Sequence, residues 1–148
     1  MDILISEVGP RDGLQSIAQV MPTAAKLRWI AALAEAGLRE IEVGSFVPPK
    51  LLPQLADTDA VVRAAIGIPG LAVQALVPNV KGAERAIAAG AHKLTVPVSA
   101  SQAHSRSNVR MSCEESIAQA ARICRLRDAQ PTERRPQVEV GISCAFGC

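Results

Sequence analysis

LAVQALVPNVKGAERAIAAGAHKLTVPV, residues 71–98, is the stretch that sets the fold class. Leu71 to Val77 and His92 to Val98 are short apolar runs rich in valine and leucine, which read as buried strands. Between them Asn79 supplies an N-cap, an alanine-rich helix runs to Ala89, and Gly90 stops it. Strand, helix and strand in that order make a right-handed crossover between parallel strands.

The same alternation extends in both directions. Upstream, Ile3 to Val8 reads as a first strand. Pro22 and Thr23 open a helix with an apolar face of Leu27, Ile30, Leu33, Ala34 and Leu38, and Gly37 is placed to end it. Arg39 to Val43 follows as a second strand ending at Gly44. Ser45 to Pro53 is a proline-punctuated loop, and Gln54 to Ala65 is expected to be helical until Gly67 and Pro69-Gly70 break it. Downstream, Ser99 to Arg110 reads as a polar loop. Ser112 and Glu115 form a capping box for a helix with an inward face of Ile117, Ala121 and Cys124. Arg125 to Pro136 is charged and interrupts the pattern, and Gln137 to Ile142 is a fifth strand.

About five parallel strands with crossover helices fit either an open doubly wound sheet or a β/α barrel. A barrel takes eight such units and roughly 250 residues, so 148 residues supply an incomplete TIM-type barrel. The whole chain, 1–148, is then the N-terminal part of one barrel domain, truncated after the fifth strand. Outer strands one and five are left as edges, which implies self-association into a homo-oligomer.

Composition removes several function classes. The chain is 49% hydrophobic and 20% charged, with net charge +2, which offers no electrostatic footing for nucleic acid or an anionic membrane. Aromatic content of 2% makes base stacking equally poor. No leader-like segment and no apolar run near the roughly 20 residues of a membrane span are present, so the expected location is the cytoplasm. Cys113, Cys124, Cys144 and Cys148 lack a paired CxxC spacing and read as reduced structural thiols.

In parallel α/β folds, functional groups gather beyond the C-terminal ends of the strands. Those positions hold Glu7, Arg11, Asp12 and Gln15 after strand one, Glu42 and Ser45 near strand two, and Asn79 after strand three. Ser99, Ser101, His104, Arg106 and Asn108 follow strand four, and Ser143 and Cys144 follow strand five. The densest run is Glu7-Val-Gly-Pro-Arg-Asp-Gly-Leu-Gln15. Gly9, Pro10 and Gly13 shape a turn that turns Arg11 and Asp12 toward the mouth. A carboxylate there suits hard Mg²⁺ or Mn²⁺, and a guanidinium suits a carbonyl oxygen gaining negative charge. A plain surface Arg–Asp pair is the competing reading of the spacing.

This run resembles the opening signature of 3-hydroxy-3-methylglutaryl-CoA lyases. The likeness continues through Ala36-Gly-Leu38, Ile41-Glu42, Ser45-Phe-Val47, Pro49-Lys50, Pro78-Asn-Val-Lys-Gly82, Ala88-Ala-Gly-Ala91, Glu114-Glu-Ser116 and Ser143-Cys-Ala-Phe-Gly-Cys148. The resemblance implies a TIM-type barrel that cleaves 3-hydroxy-3-methylglutaryl-CoA to acetyl-CoA and acetoacetate, in leucine degradation. It implies Asp12 as a ligand to a divalent metal (Mg or Mn), and Arg11 as the group that meets the substrate carbonyl. Glu42 takes the active-site acid position. Gln15 and Ser45 support an acyl-CoA substrate, and Asn79 caps its helix. The family's His-x-His metal pair, asparagine ligand and catalytic cysteine loop lie on later strands and have no counterpart here. His92 is expected at the far end of strand four as a structural residue, and His104 as a solvated loop residue. A related lyase or aldolase acting on another 3-hydroxyacyl-CoA or 2-oxo acid is the enzymatic alternative, and a non-catalytic half-barrel is the other.

Overall fold

The computed structural model describes residues 3–147. Five parallel strands, β1 (Ser6–Glu7), β2 (Glu40–Ser45), β3 (Ala72–Leu76), β4 (Lys93–Ser99) and β5 (Gln137–Ser143), lie side by side in chain order. A doubly wound sheet would reverse its strand order at a switch point. Consecutive order without reversal is that of a barrel wall, so the open-sheet alternative falls and the incomplete TIM-type barrel stands.

Five helices connect them: α1 (Thr23–Glu35), α2 (Thr58–Ala65), α3 (Val80–Ala89), α4 (Gln102–Val109) and α5 (Cys113–Asp128). The core lies between the strands and this helix layer. Ile41, Val43, Val73, Ala75, Leu94 and Val96 form the strand side, and Ile30, Val61, Val62, Ala83, Ala86 and Ile123 the helix side. Alternation along each strand sends the intervening residues to the other, concave face. That face is polar. The Ser6 hydroxyl donates to Gln74 Oε1 at 3.2 Å, the Gln74 amide donates to the Thr95 hydroxyl, and Lys93 Nζ lies 3.2 Å from Glu40 and 2.6 Å from Glu139.

Local rules placed most elements well. Asn79 Oδ1 accepts from Gly82 N at 2.9 Å, Gly90 closes α3 at φ 90°, and Gly37 follows α1 at φ 101°. The capping box of α5 is complete: Ser112 Oγ accepts from Glu115 N at 3.1 Å, and Glu115 accepts from Ser112 N at 2.7 Å.

Several expectations needed correction. The first strand spans two residues rather than Ile3 to Val8. It has a neighbour on one side only, and Ile3, Leu4 and Ile5 have no layer to bury them; they remain mostly exposed. The segment 54–65 divides into a 3₁₀ turn, Pro53–Leu55, and α2. Thr58 separates them: its hydroxyl donates to Leu55 O at 2.7 Å and accepts from Ser45 N at 3.2 Å. The stretch 99–110 is no loop, since eight of its residues form α4, with Ser101 Oγ accepting from His104 N at 3.3 Å. It lacks an apolar stripe, so periodicity was silent about it. The buried side of α5 is Ser116, Ala120 and Ile123, one position from the expected Ile117, Ala121 and Cys124. The charged stretch from Arg125 does not end the helix at once, because α5 continues to Asp128 before a 3₁₀ turn at Thr132–Arg134.

The displaced apolar stripe of α5 has a visible consequence. Ile117, Ala121 and Cys124 line an open apolar groove of about 440 Å³ with Val140 and Ile142 of β5. Ile142 is 63% exposed and Ile117 59%.

Candidate functional site

Backbone geometry at the first turn decides where the charged groups point. Gly9–Gly13 forms a single π-helical turn in which Asp12 N donates to Val8 O at 2.7 Å and Arg11 N to the same oxygen at 3.0 Å. Such turns recur at functional sites because they redirect consecutive side chains. Pro10 and Leu14 are buried and anchor the turn from below. Glu7 accepts from Gly9 N at 2.5 Å, which ties the turn to the end of β1. A side chain at Gly9 would meet that same carboxylate and the Trp29 ring.

Arg11 is gripped from two directions. Its Nε donates to Glu42 Oε2, and its Nη1 donates to Asp12 Oδ1 at 2.6 Å. A guanidinium has five N–H donors, so three remain for a ligand. The Glu42 side chain is 1% exposed and its Oε1 has no hydrogen-bond partner among the described residues. The Arg11 guanidinium above it is its ion-pair partner. Asp12, in contrast, is 57% exposed, and only its Oδ1 is engaged.

Arg11, Asp12 and Gln15 line a cavity of about 400 Å³ at the C-terminal ends of the strands, with Thr95, His104 and Ser143 among its other walls. The structure thus brings Arg11, Asp12 and Gln15 together as the sequence suggested. Glu42 lies beneath Arg11, where its Oε2 accepts from Nε, and is not among the residues that line the cavity. Ser45 is likewise buried off the cavity, where its Oγ accepts from Val47 N at 3.4 Å. Asn79 is a helix cap, and Arg106 is exposed outside the cavity.

The two histidines separate clearly. His92 is at the opposite end of the strands, where its Nδ1 accepts from Val73 N at 3.1 Å, the structural role expected. His104 is no solvated loop residue: it is half-buried on α4, and its Nδ1 lies 2.7 Å from Ser99 Oγ. The polar composition of 99–110 hid it. Ser101 as an N-cap was the available signal. Asn108, Gly141 and Ser143 also reach the cavity wall. Cys144 follows in the left-handed region at φ 57°. Cys113 and Cys124 are free thiols, as expected, and Cys148 lies outside the described residues.

A residue-family model of the HMGL-like type matches residues 2–148. The chain belongs to the HMGL-like family. Its relatives include the mitochondrial hydroxymethylglutaryl-CoA lyase of Mus musculus, 42% identical over 99% of this chain and 44% of its own length. The hydroxymethylglutaryl-CoA lyase of Pseudomonas mevalonii is 40% identical over 99% of the chain and 47% of its own length. Among solved structures, an HMG-CoA lyase from Acinetobacter baumannii in complex with coenzyme A and 3-methylmalate superposes with a TM-score of 0.89. That pair is 36% identical, covering 98% of this chain and 46% of the other. The chain therefore spans about half the length of the curated relatives it matches.

Within this HMGL-like framework the carboxylate of Asp12 fits a hard cation. Among the described residues its Oδ2 is without a hydrogen bond, and the side chain is solvent-accessible and lines the cavity. It supplies one oxygen. Among the described residues no group of three His, Cys, Asp or Glu side chains is arranged to hold a metal ion. Mg²⁺ retains several waters and accepts as few as one or two protein carboxylates, so Asp12 can act as one corner of such a site.

Proposed function

We propose that residues 1–148 form the N-terminal part of a lyase barrel that cleaves 3-hydroxy-3-methylglutaryl-CoA to acetyl-CoA and acetoacetate, a reaction of leucine degradation. The observation that carries this reading is the Arg11 guanidinium, fixed between buried Glu42 and cavity-facing Asp12 with three N–H donors to spare. In the cleavage the 3-hydroxyl loses its proton and its oxygen becomes the ketone of acetoacetate. The C2–C3 electron pair passes into the enolate of acetyl-CoA, which is then protonated at carbon. Arg11 meets the thioester oxygen, where negative charge grows as the bond breaks. Because Glu42 and Asp12 already hold the guanidinium, little reorganisation is required at that moment. Gln15 extends the same wall and contacts the acyl-CoA. Glu42 and Ser45 act from below, Glu42 through Arg11 and Ser45 through the turn after β2. Mg²⁺ or Mn²⁺ bound through Asp12 would supply Lewis-acid polarisation of substrate oxygens.

The cation is testable in this chain directly. With Mn²⁺ followed by electron paramagnetic resonance, wild type is expected to bind weakly, and Asp12→Ala to weaken binding about tenfold or more, the size of effect seen when metal-site partners are removed. Equal Mn²⁺ binding by both proteins would remove Asp12 from the site. The reaction is testable by replacing the matching half of the Acinetobacter lyase with residues 1–148 and measuring acetoacetate release; the chain on its own is expected to give none. A related lyase or aldolase acting on another 3-hydroxyacyl-CoA or 2-oxo acid is separated by offering the chimera both substrate classes.

A homo-oligomer belongs to the same proposal, supported by the apolar groove along α5 and β5 and by the exposed Val140 and Ile142. Sedimentation velocity is expected to show dimers or larger species that Ile142→Lys converts to monomer; a monomeric wild type would refute it. Among the described residues no helix is long and apolar enough to cross a membrane. A cytoplasmic location is proposed on the sequence alone, and cell fractionation tests it.

A further inference from the structure

His104 has a fixed geometry that none of the roles above uses. It projects from the first turn of α4, whose N-terminal half is tied to the first turn of α5. Ser105 and Ser116 hydroxyls meet at 3.2 Å in full burial, and the Gln102 amide donates to the Glu114 carboxylate at 2.9 and 3.0 Å. That amide is the main reason the Glu114 carboxyl lies below the usual range.

The ring itself is held by Ser99, the last residue of β4 and 4% exposed. Ser99 Oγ has no other hydrogen-bond partner among the described residues. If Nδ1 carried the proton, the buried hydroxyl hydrogen would be left without an acceptor, which is costly. The hydroxyl therefore donates to Nδ1, which leaves the ring N–H on Nε2. Nε2 has no partner among the described residues, and His104 lines the same cavity as Arg11 and Asp12.

We infer that His104 is a substrate-contacting residue: Ser99 sets its tautomer, and its Nε2–H donates to a carboxylate or carbonyl oxygen of a small hydroxy- or oxo-acid in the Arg11 cavity. Arg11 enters from the turn after β1 and His104 from the helix after β4, three strands further round the wall. Two donors so separated grip two different oxygens of one ligand, which selects for an acid with a second oxygen function. This assignment rests on the proposed reading of the cavity as a substrate site.

The chain contains two histidines, which makes the test direct. The probe is 3-methylmalate, titrated into the 148-residue chain while imidazole signals are followed by NMR and affinity by calorimetry. The His104 signals are expected to shift saturably and those of His92 to stay. His104→Ala is expected to weaken binding about tenfold or more, as loss of a hydrogen bond to a charged group does. His104→Gln, whose amide nitrogen reaches roughly as far as Nε2, is expected to stay within about threefold. If Arg11→Gln loses binding while His104→Ala binds like wild type, the cavity reading survives and the His104 contact is overturned. If 3-methylmalate does not bind saturably, or both histidines shift together, both are overturned.

Discussion

Arg11→Gln in the chimeric lyase is expected to lower kcat about a hundred- to a thousandfold, the usual effect of removing one preorganised donor to a developing oxyanion. The same substitution is expected to destabilise the 148-residue chain by about 3–5 kcal/mol in urea unfolding, because it strips the cation from a buried carboxylate. Glu42 is 1% exposed, and its Oε1 already lacks a hydrogen-bond partner among the described residues. The two effects have different origins and can be separated. Adding Glu42→Gln to Arg11→Gln removes the orphaned charge, so the double variant should regain most of the stability and none of the rate. Recovery of both would mean that Arg11 acts only as a structural counter-ion, and loss of neither would mean that it is an incidental surface pair.

The second large effect lies at the other end of the concave face. Lys93→Met is expected to destabilise the chain by about 2–3 kcal/mol, somewhat below the full cost of breaking a buried pair because part of the cluster is wet. Glu40 is 6% exposed and loses its partner, whereas Glu139 is 50% exposed and returns to water. The pH dependence carries a signature of its own. Burial is the largest single influence on the Lys93 ammonium and lowers its pKa, but hydrogen bonds and charges from Glu139 and Glu40 together outweigh it and leave the value raised above 10.5. A raised lysine pKa contributes stability that is fully present below 10.5 and is lost as pH climbs through the folded value. The stability gap between wild type and Lys93→Met should therefore be constant through neutral pH and shrink only above about pH 10.5. No tyrosine titrates in that window to obscure it. A gap that closes near neutrality would place the stabilising charge on another group.

Elements whose signals are local are legible in the sequence. Asn79 and Gly90 bracket α3, Ser112 and Glu115 start α5, and the runs around Val73 and Leu94 are strands, because caps and short apolar runs act over a few residues. Helical periodicity was less dependable where charge is buried. Lys26 sits on the inward side of α1 at 1% exposure, with its Nζ 2.6 Å from Gln54 O and 2.5 Å from Asp57, which an apolar-stripe reading passes over. The site divides in the same way. The residue types of the Glu7–Gln15 turn announced Arg11 and Asp12, but nothing in their spacing says that Glu42, thirty-one residues away, carries the guanidinium from beneath.

By itself the sequence determined the βα alternation, the caps and turns that time it, and the Arg-Asp pair with the family it signals, since all of these are written in neighbouring residues. Tertiary structure alone decided that the strands lie in unbroken order as a barrel wall, that Glu42 is buried under Arg11, and that His104 faces the same cavity from α4. Those facts depend on which distant strands stand side by side and which faces they bury, and a strand's neighbours are chosen by packing across the sheet, not by its own residues.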